Sequence, residues 1–576
     1  MRNADIKPLP RRYLPDDFVV TNWAAIEPYL KELLERPIGN LQELRRWMTD
    51  SSELEAVLSE DACWRQIRMT CDTENQSLSE AFQFFMMEIQ PKTQPYFDLL
   101  NRKLIESPFV NELKEPEFFP YLRNIRKNIQ LYREENIPLQ AELAVAAQNF
   151  GLISGKMTIT VENTEFTLQQ AARFLQNPNR SLREEVYRKI AERRRSDQEA
   201  LDDLFDTLIK KRQQIALHAG YSNYSDYRFA ELGRFDYTKE HCFQFHEAVK
   251  QHILPLVNRV YEQQKTRLGV DTLRPWDLDA EPEGVQPLKP FSTGNELLEK
   301  TIQCFSKLDP FFAACLKKME TLKRLDIESR KGKAPGGYNC PLAETGAPFI
   351  FMNAAGTQND VTTMVHEGGH AIHSFLTHHL PLTGFKEYPM EIAEVASMSM
   401  ELFSMENWEV FYPNPEERNR AKRQQLERVI TLFPWIATID KFQHWLYENP
   451  NHTREERTTR WRQILDEFTP PVLDSSGLDA YRNHSWQRQL HLFEVPFYYI
   501  EYGIAQLGAI GLWQQFLQDK QSALDRYIAA LSLGGTRSLP QLFETAGLQF
   551  DLSPNHIKEL MRFVQHYMNE QKNHLP

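Results

Sequence analysis

The segment NDVTTMVHEGGHAIHSFLTHHLP, residues 359–381, constrains this chain more than any other. At about 100° per residue, Val361, Met364, Val365, Ile372, Phe375 and Leu376 gather into a stripe about 120° wide, the core-facing side of a helix. His366, His370 and His373 fall on nearly the opposite side, with Glu367 beside them. An ordinary amphipathic helix carries Lys, Glu and Gln on that second face. Here imidazoles take their place, so one face packs while the other directs a histidine cluster elsewhere. Asp360 is the candidate N-cap, and Pro381 lies where the helix must stop.

The spacing points to metal chemistry. His366 and His370 stand one turn apart, so both rings can reach one tetrahedral ion at about 2.0–2.1 Å per bond. Glu367, adjacent but rotated, can touch a water on that ion without filling a coordination position. With 16 histidines in 576 residues, such an H-E-x-x-H match arises by accident in roughly 3% of chains. A catalytic zinc needs a third protein ligand and one open position. YPMEIAEVASMSMELFS offers Glu391, Glu394 and Glu401 on one helical face, behind a Pro389 suited to a first turn. One carboxylate could coordinate and another orient a ligand imidazole. Spacing leaves the three as alternatives.

Around this segment the chain reads as mainly α. WAAIEPYLKELLERP and SEAFQFFMMEIQ space apolar residues three and four apart. KMTITVENTEFTL (Lys156 to Leu168) alternates like a β-hairpin around a central Asn. Helix resumes over residues 168–265, where Ser181 is the candidate N-cap of SLREEVYRKIAERRRS with Glu184 three residues on. Its Arg/Lys run is interleaved with acids and reads as a solvated face. Pro275, Pro282, Pro287 and Pro290 then require an ordered loop. At 576 residues the chain exceeds one ordinary core. A net charge of −12 disfavours nucleic acid and anionic membrane as partners. Six scattered cysteines without a C-x-x-C pair suit free thiols. The start carries no signal-like apolar run, so the expected location is cytoplasmic.

VHEGGHAIHSF followed by IAEVASMSMELF resembles the oligoendopeptidase F and thimet oligopeptidase family of zinc metallopeptidases. The resemblance covers roughly residues 170–570, and more faintly the helical N-terminal part. It implies one zinc ion held by His366, His370 and Glu394, with Glu367 as general base and Glu401 and His373 in support behind the ligands. GGYNCPLAETGAPFIFMN also resembles the family, whose strand here lies beside the cleft. Phe349 and Phe351 are then substrate-binding candidates, on a strand whose exposed edge could take a peptide backbone. In QRQLHLFEVPFYYIEYGIAQLGAIGLW the family's metal-facing histidine and tyrosines fall on His491, Tyr498, Tyr499 and Tyr502. Of these His491 and Tyr502 are expected to stabilise the oxyanion, and Tyr498 and Tyr499 to contact substrate. Position 368 is Gly where relatives carry a bulky residue, which either enlarges a pocket or admits another segment.

The implied architecture is a two-part helical shell around a deep channel, with small β insertions near the zinc site. It divides into an N-terminal helical region (1–170) and a catalytic region (171–576). The implied activity is internal cleavage of short oligopeptides. Trimming of peptide ends, or a non-catalytic zinc- or peptide-binding role, are the alternatives.

Overall fold

Helices follow the apolar spacing from Trp23 to Asn573 in the computed structural model, which describes residues 10–573 and, ahead of them, Ala4, Ile6 and Pro8. Asparagine starts many of them. Asn22, Asn40, Asn179, Asn223 and Asn414 each accept a first-turn N–H through the side chain, satisfying a donor the helix cannot. Ser181 is therefore not the cap expected of it. The helix Arg180–Ser196 starts from Asn179, whose Oδ1 reaches the N–H groups of Ser181 and Leu182 first. Among the described residues no helix is long and apolar enough to cross a membrane.

The apolar faces meet in two large cores. One joins Leu14 to Leu122 with Leu382 and Phe385, and the larger is built mainly from residues between Leu131 and Met568. A smaller cluster of Ile67, Ala334, Leu342, Phe349 and Phe351 links the N-terminal helices to the rest. The Pro-rich stretch is ordered, as expected. Its turn Pro275–Asp277 buries Asp277, on which Arg180 and Arg183 each converge at 2.8 Å.

Strands are few. β1 (Thr158–Val161) and β2 (Thr164–Thr167) form the expected hairpin, turning at Glu162 and Asn163 with φ of 50° and 65°, the left-handed pair a two-residue turn requires. β3 (Leu325–Glu328), β4 (Tyr338–Cys340) and β5 (Phe349–Ala354) make a sheet of order β3-β5-β4, parallel then antiparallel. The strand carrying Phe349 and Phe351 is thus central, with no free edge. Both rings are buried, Phe349 against Trp64 and Phe351 stacked on Tyr338 at 4.8 Å. The free edges belong to β3 and β4, of which β4 lies at the cavity.

Two glycines set the spacing around the histidine helix, Gln358–Thr377. A Cβ on Gly369 would lie 2.6 Å from Ser397 Cα and 2.7 Å from the Ala396 carbonyl oxygen. The glycine thus lets the helix Met390–Ser404 lie directly against the histidine helix. A Cβ on Gly368 would lie 2.8 Å from the Phe305 ring, which comes from the helix Gly294–Leu308. The missing side chain admits another segment; it does not enlarge a pocket.

Candidate active site

The histidine helix is entered through a capping box. Thr357 is the N-cap and Asp360 the third residue in, its Oδ2 accepting from Thr357 N at 2.7 Å and Ala355 N at 2.9 Å. Asp360 is thus the far member of the box and not the cap.

From this fixed start His366 and His370 project side by side, ring centroids 4.9 Å apart and nearly perpendicular. Glu394, brought over by the close approach at Gly369, sits between them. His366 Nε2 lies 3.3 Å from Glu394 Oε2, and His370 Nε2 lies 3.6 Å from Oε1. The three donor atoms all fall within 4.8 Å of one another. Two atoms at 2.0–2.1 Å from a tetrahedral centre are about 3.3 Å apart, so the set fits one zinc-sized ion.

The other polar atoms of the cluster are occupied. His366 Nδ1 donates to Glu401 Oε1 at 2.7 Å, which leaves Nε2 as the ring atom that faces Glu394 and is free for an ion. Glu401 Oε2 accepts from Gln425 at 2.9 Å, and Gln425 accepts from Thr362 at 2.7 Å. Ser397 donates to Glu394 Oε2 at 3.0 Å, and the Tyr498 hydroxyl donates to Oε1. Burial works against the Glu394 carboxylate, but His370 and His366 outweigh it and hold it down to about 2. Glu391, the third acid of the stripe, turns away to accept from the Tyr237 hydroxyl at 2.6 Å.

Glu367 is the exception. It is buried, and its Oε2 has no hydrogen-bond partner among the described residues. Burial pushes its carboxyl up to about 7. It opens into a cavity of ≈1130 Å³ that also exposes His366, His370, Glu394, Tyr498 and Tyr502. Gln66, Met69 and Thr70 of the N-terminal helices line the same cavity, as do Gly337 to Asn339 at the free edge of β4.

The wall formed by Tyr498, Tyr502 and His491 has a defined proton pattern. Trp435 Nε1, which can only donate, gives its hydrogen to Gln489 Oε1 at 3.0 Å. That orients the Gln489 amide nitrogen toward His491 Nδ1, 2.7 Å away. Nδ1 is therefore an acceptor, and neutral His491 carries its proton on Nε2. Burial keeps the ring neutral, lowering it to about 4. Nε2 lies 3.0 Å from the Tyr502 oxygen. That oxygen thus receives a hydrogen bond, and the Tyr502 O–H is left to donate into the cavity.

Two other candidates lie off the cavity wall. Tyr499 is buried behind the pair, its ring 5.0 Å from His491 and 5.3 Å from Tyr502. His373 is fully buried and stacked on Tyr388 at 3.6 Å, outside the hydrogen-bond network of His366 and Glu394. Gln489, Gln425 and Ser397 were not anticipated. Glutamine and serine are common, and each acts on a partner that only the fold brings near. A second group of possible donors, Cys242, Asp440 and His444, is wholly buried and borders none of the large cavities; Asp440 is tied to His246 at 2.8 Å.

Residues 173–562 match the profile of Peptidase family M3, and residues 16–132 match the Peptidase M3 N-terminal domain. Oligopeptidase PepF of Bacillus subtilis (strain 168) is 23% identical over 406 residues, covering 69% of this chain and 58% of that protein. An oligoendopeptidase F homolog of Lactococcus lactis subsp. lactis (strain IL1403) is 23% identical over 429 residues, 70% of this chain and 68% of that one. A solved PZ peptidase A with an inhibitor superposes with a TM-score of 0.91 at 26% identity, covering 97% of this chain and 99% of that chain.

Proposed function

We propose that this chain, which belongs to peptidase family M3, is a zinc endopeptidase acting on short oligopeptides. One observation carries the reading: three donor atoms converge within 4.8 Å, beside the buried Glu367, whose Oε2 has no hydrogen-bond partner among the described residues. His366, His370 and Glu394 would hold the ion, with Glu401 fixing the His366 tautomer. A zinc ion there supplies Lewis-acid polarisation and lowers the pKa of a bound water to about 7. Glu367 takes the proton from the attacking water and returns it to the leaving amine. Tyr502, whose oxygen is satisfied by His491, donates its O–H to the developing oxyanion. The free edge of β4 offers the backbone groups on which an extended peptide can lie as an added strand. The relatives named as oligoendopeptidases favour internal cleavage.

The test uses peptides blocked at both ends. The wild-type protein should cleave them, lose activity on chelation and regain it with zinc. Glu367→Gln should retain one zinc per chain while turnover falls by about 10²-fold or more. Full turnover by that variant, or strict dependence on a free terminus, would overturn the assignment.

A further inference from the structure

Several buried arginines in this protein are matched to acids, while Arg212 is met by the Tyr447 hydroxyl and the carbonyls of Leu492 and Phe493. Arg183, Arg234 and Arg457 lie 2.8, 3.0 and 3.0 Å from Asp277, Glu501 and Asp202. Two arginines on the wall of the reaction cavity have neither kind of partner among the described residues. Arg194 comes from the last turn of the helix Arg180–Ser196. Arg488 closes the short turn Ser485–Arg488 and directly precedes Gln489. Both line the cavity that contains His366 and Glu367. The ionisable groups facing Arg194 are Arg488 and the phenol of Tyr187, and those facing Arg488 are the phenols of Tyr187 and Tyr499. Among the described residues no carboxylate is set against either guanidinium.

Arg194 is half-buried and Arg488 is exposed, so both can meet a ligand in the cavity, and their surroundings hold them in place. Arg488 lies over the Trp435 indole, 4.3 Å from its centroid, and Tyr187 is packed against Trp276 at 5.6 Å. Burial and the neighbouring Arg488 lower Arg194 to about 10, so it remains charged at neutral pH. Two neighbouring cations on one cavity wall repel each other, a cost that a bound anion relieves. The surrounding chain has a net charge of −12, so this positive spot is a local feature of the channel. Arg488 and Tyr187 also border a second cavity of ≈1000 Å³, which places Arg488 where the two spaces meet.

Resting on the oligopeptide reading above, we propose that Arg194 and Arg488 form a carboxylate-binding subsite of the substrate channel. The guanidinium fork matches a carboxylate in a bidentate manner. In a peptide that group is either the C-terminal carboxylate or an Asp or Glu side chain. Binding it here fixes how many residues separate it from the bond that is cut. The subsite thus sets register along the channel and favours peptides carrying an acid at that one distance.

Matched peptides test this in the wild-type protein. One arm compares a C-terminal acid with its amide; the other moves a single Glu, against Gln, through each position of an amide-capped peptide. One arm, at one position, should show kcat/KM raised about tenfold or more by the carboxylate, mainly through KM. The arm that responds identifies the source of the carboxylate. In Arg194→Gln and Arg488→Gln the acid-to-neutral ratio should fall toward one, with partial recovery in the Lys variants. Ratios near one at every position in the wild type, or unchanged in both Gln variants, would overturn the subsite. Failure of the wild-type protein to cleave any peptide would instead overturn the peptidase reading.

Discussion

Gln489 decides which atom of the site can give up a proton. Its carboxamide is oriented by Trp435 and in turn determines the tautomer of His491. Glutamate is nearly isosteric but has no hydrogen to offer. In Gln489→Glu the oxygen facing Nδ1 demands a proton there, Nε2 becomes the acceptor, and Tyr502 must donate to the imidazole. The cost should approach that of losing one oxyanion donor, about 10²-fold in kcat, with KM and melting temperature little changed. The added negative charge raises His491 from about 4, but Glu367, at about 7, sets the acidic limb of the kcat/KM profile, so that limb should stay in place while kcat falls. An unchanged kcat would contradict the relay. The contrast with the histidines shows what a sequence can display. His366 and His370 are one turn apart on one helix, and helix geometry alone puts them together. Gln489 reaches His491 from two residues away but depends on Trp435, 54 positions earlier in the chain. No spacing rule connects that pair.

At the scale of elements, the site depends on how closely two helices approach. Exchanging either helical glycine for alanine gains about 1 kcal/mol of helix propensity, so any net loss reports packing. In Gly369→Ala the new methyl meets backbone, Ser397 Cα at 2.6 Å, and only a shift of the helix Met390–Ser404 relieves it. Glu394 rides on that helix. We expect a loss of about 1–3 kcal/mol and faster release of zinc to a weak chelator. Gly368→Ala meets the edge of the Phe305 ring, which can tilt, so the loss should be smaller and zinc retention nearly unaffected. Melting curves and metal content after dialysis decide, and equal behaviour of the two variants would contradict the argument. Element type was legible where a period runs long enough to show, because 3.6 and 2 differ plainly in WAAIEPYLKELLERP and KMTITVENTEFTL; the short β3 and β4 were not read as strands. Element ends were less so. Thr357 and Asp360, or Asn179 and Ser181, are all cap-forming types, and only the backbone shows which one leads. Strand order was not legible, since PFIFMN reads alike as an edge or as the centre of a sheet.

At the scale of the whole molecule, the two helical cores matter because the reaction cavity lies between them. Periodicity shows each helix its buried face but not which helices share a core, so the grouping of Leu14 to Leu122 apart from the rest emerges only from the fold. The cavity takes Gln66, Met69 and Thr70 from one side and His366, His370 and Glu394, the proposed metal ligands, from the other. At ≈1130 Å³ it is slightly larger than the pockets that enclose drug-sized ligands, about 300–1,000 Å³, and far smaller than a folded domain. An extended peptide segment fits; a loop still attached to a globular body does not, because the body would have to enter the shell with it. A small protein held native by disulfides should therefore resist cleavage, while the same chain, reduced and unfolded, is cut at bonds the native form also contains. Without the disulfides, its cleavage should track the population of the unfolded state as denaturant is raised. Digestion time courses of the locked and reduced forms, read by mass spectrometry, measure this directly. Rapid cutting of the locked protein within a surface loop would mean that the shell opens far wider than the arrangement of its two cores implies.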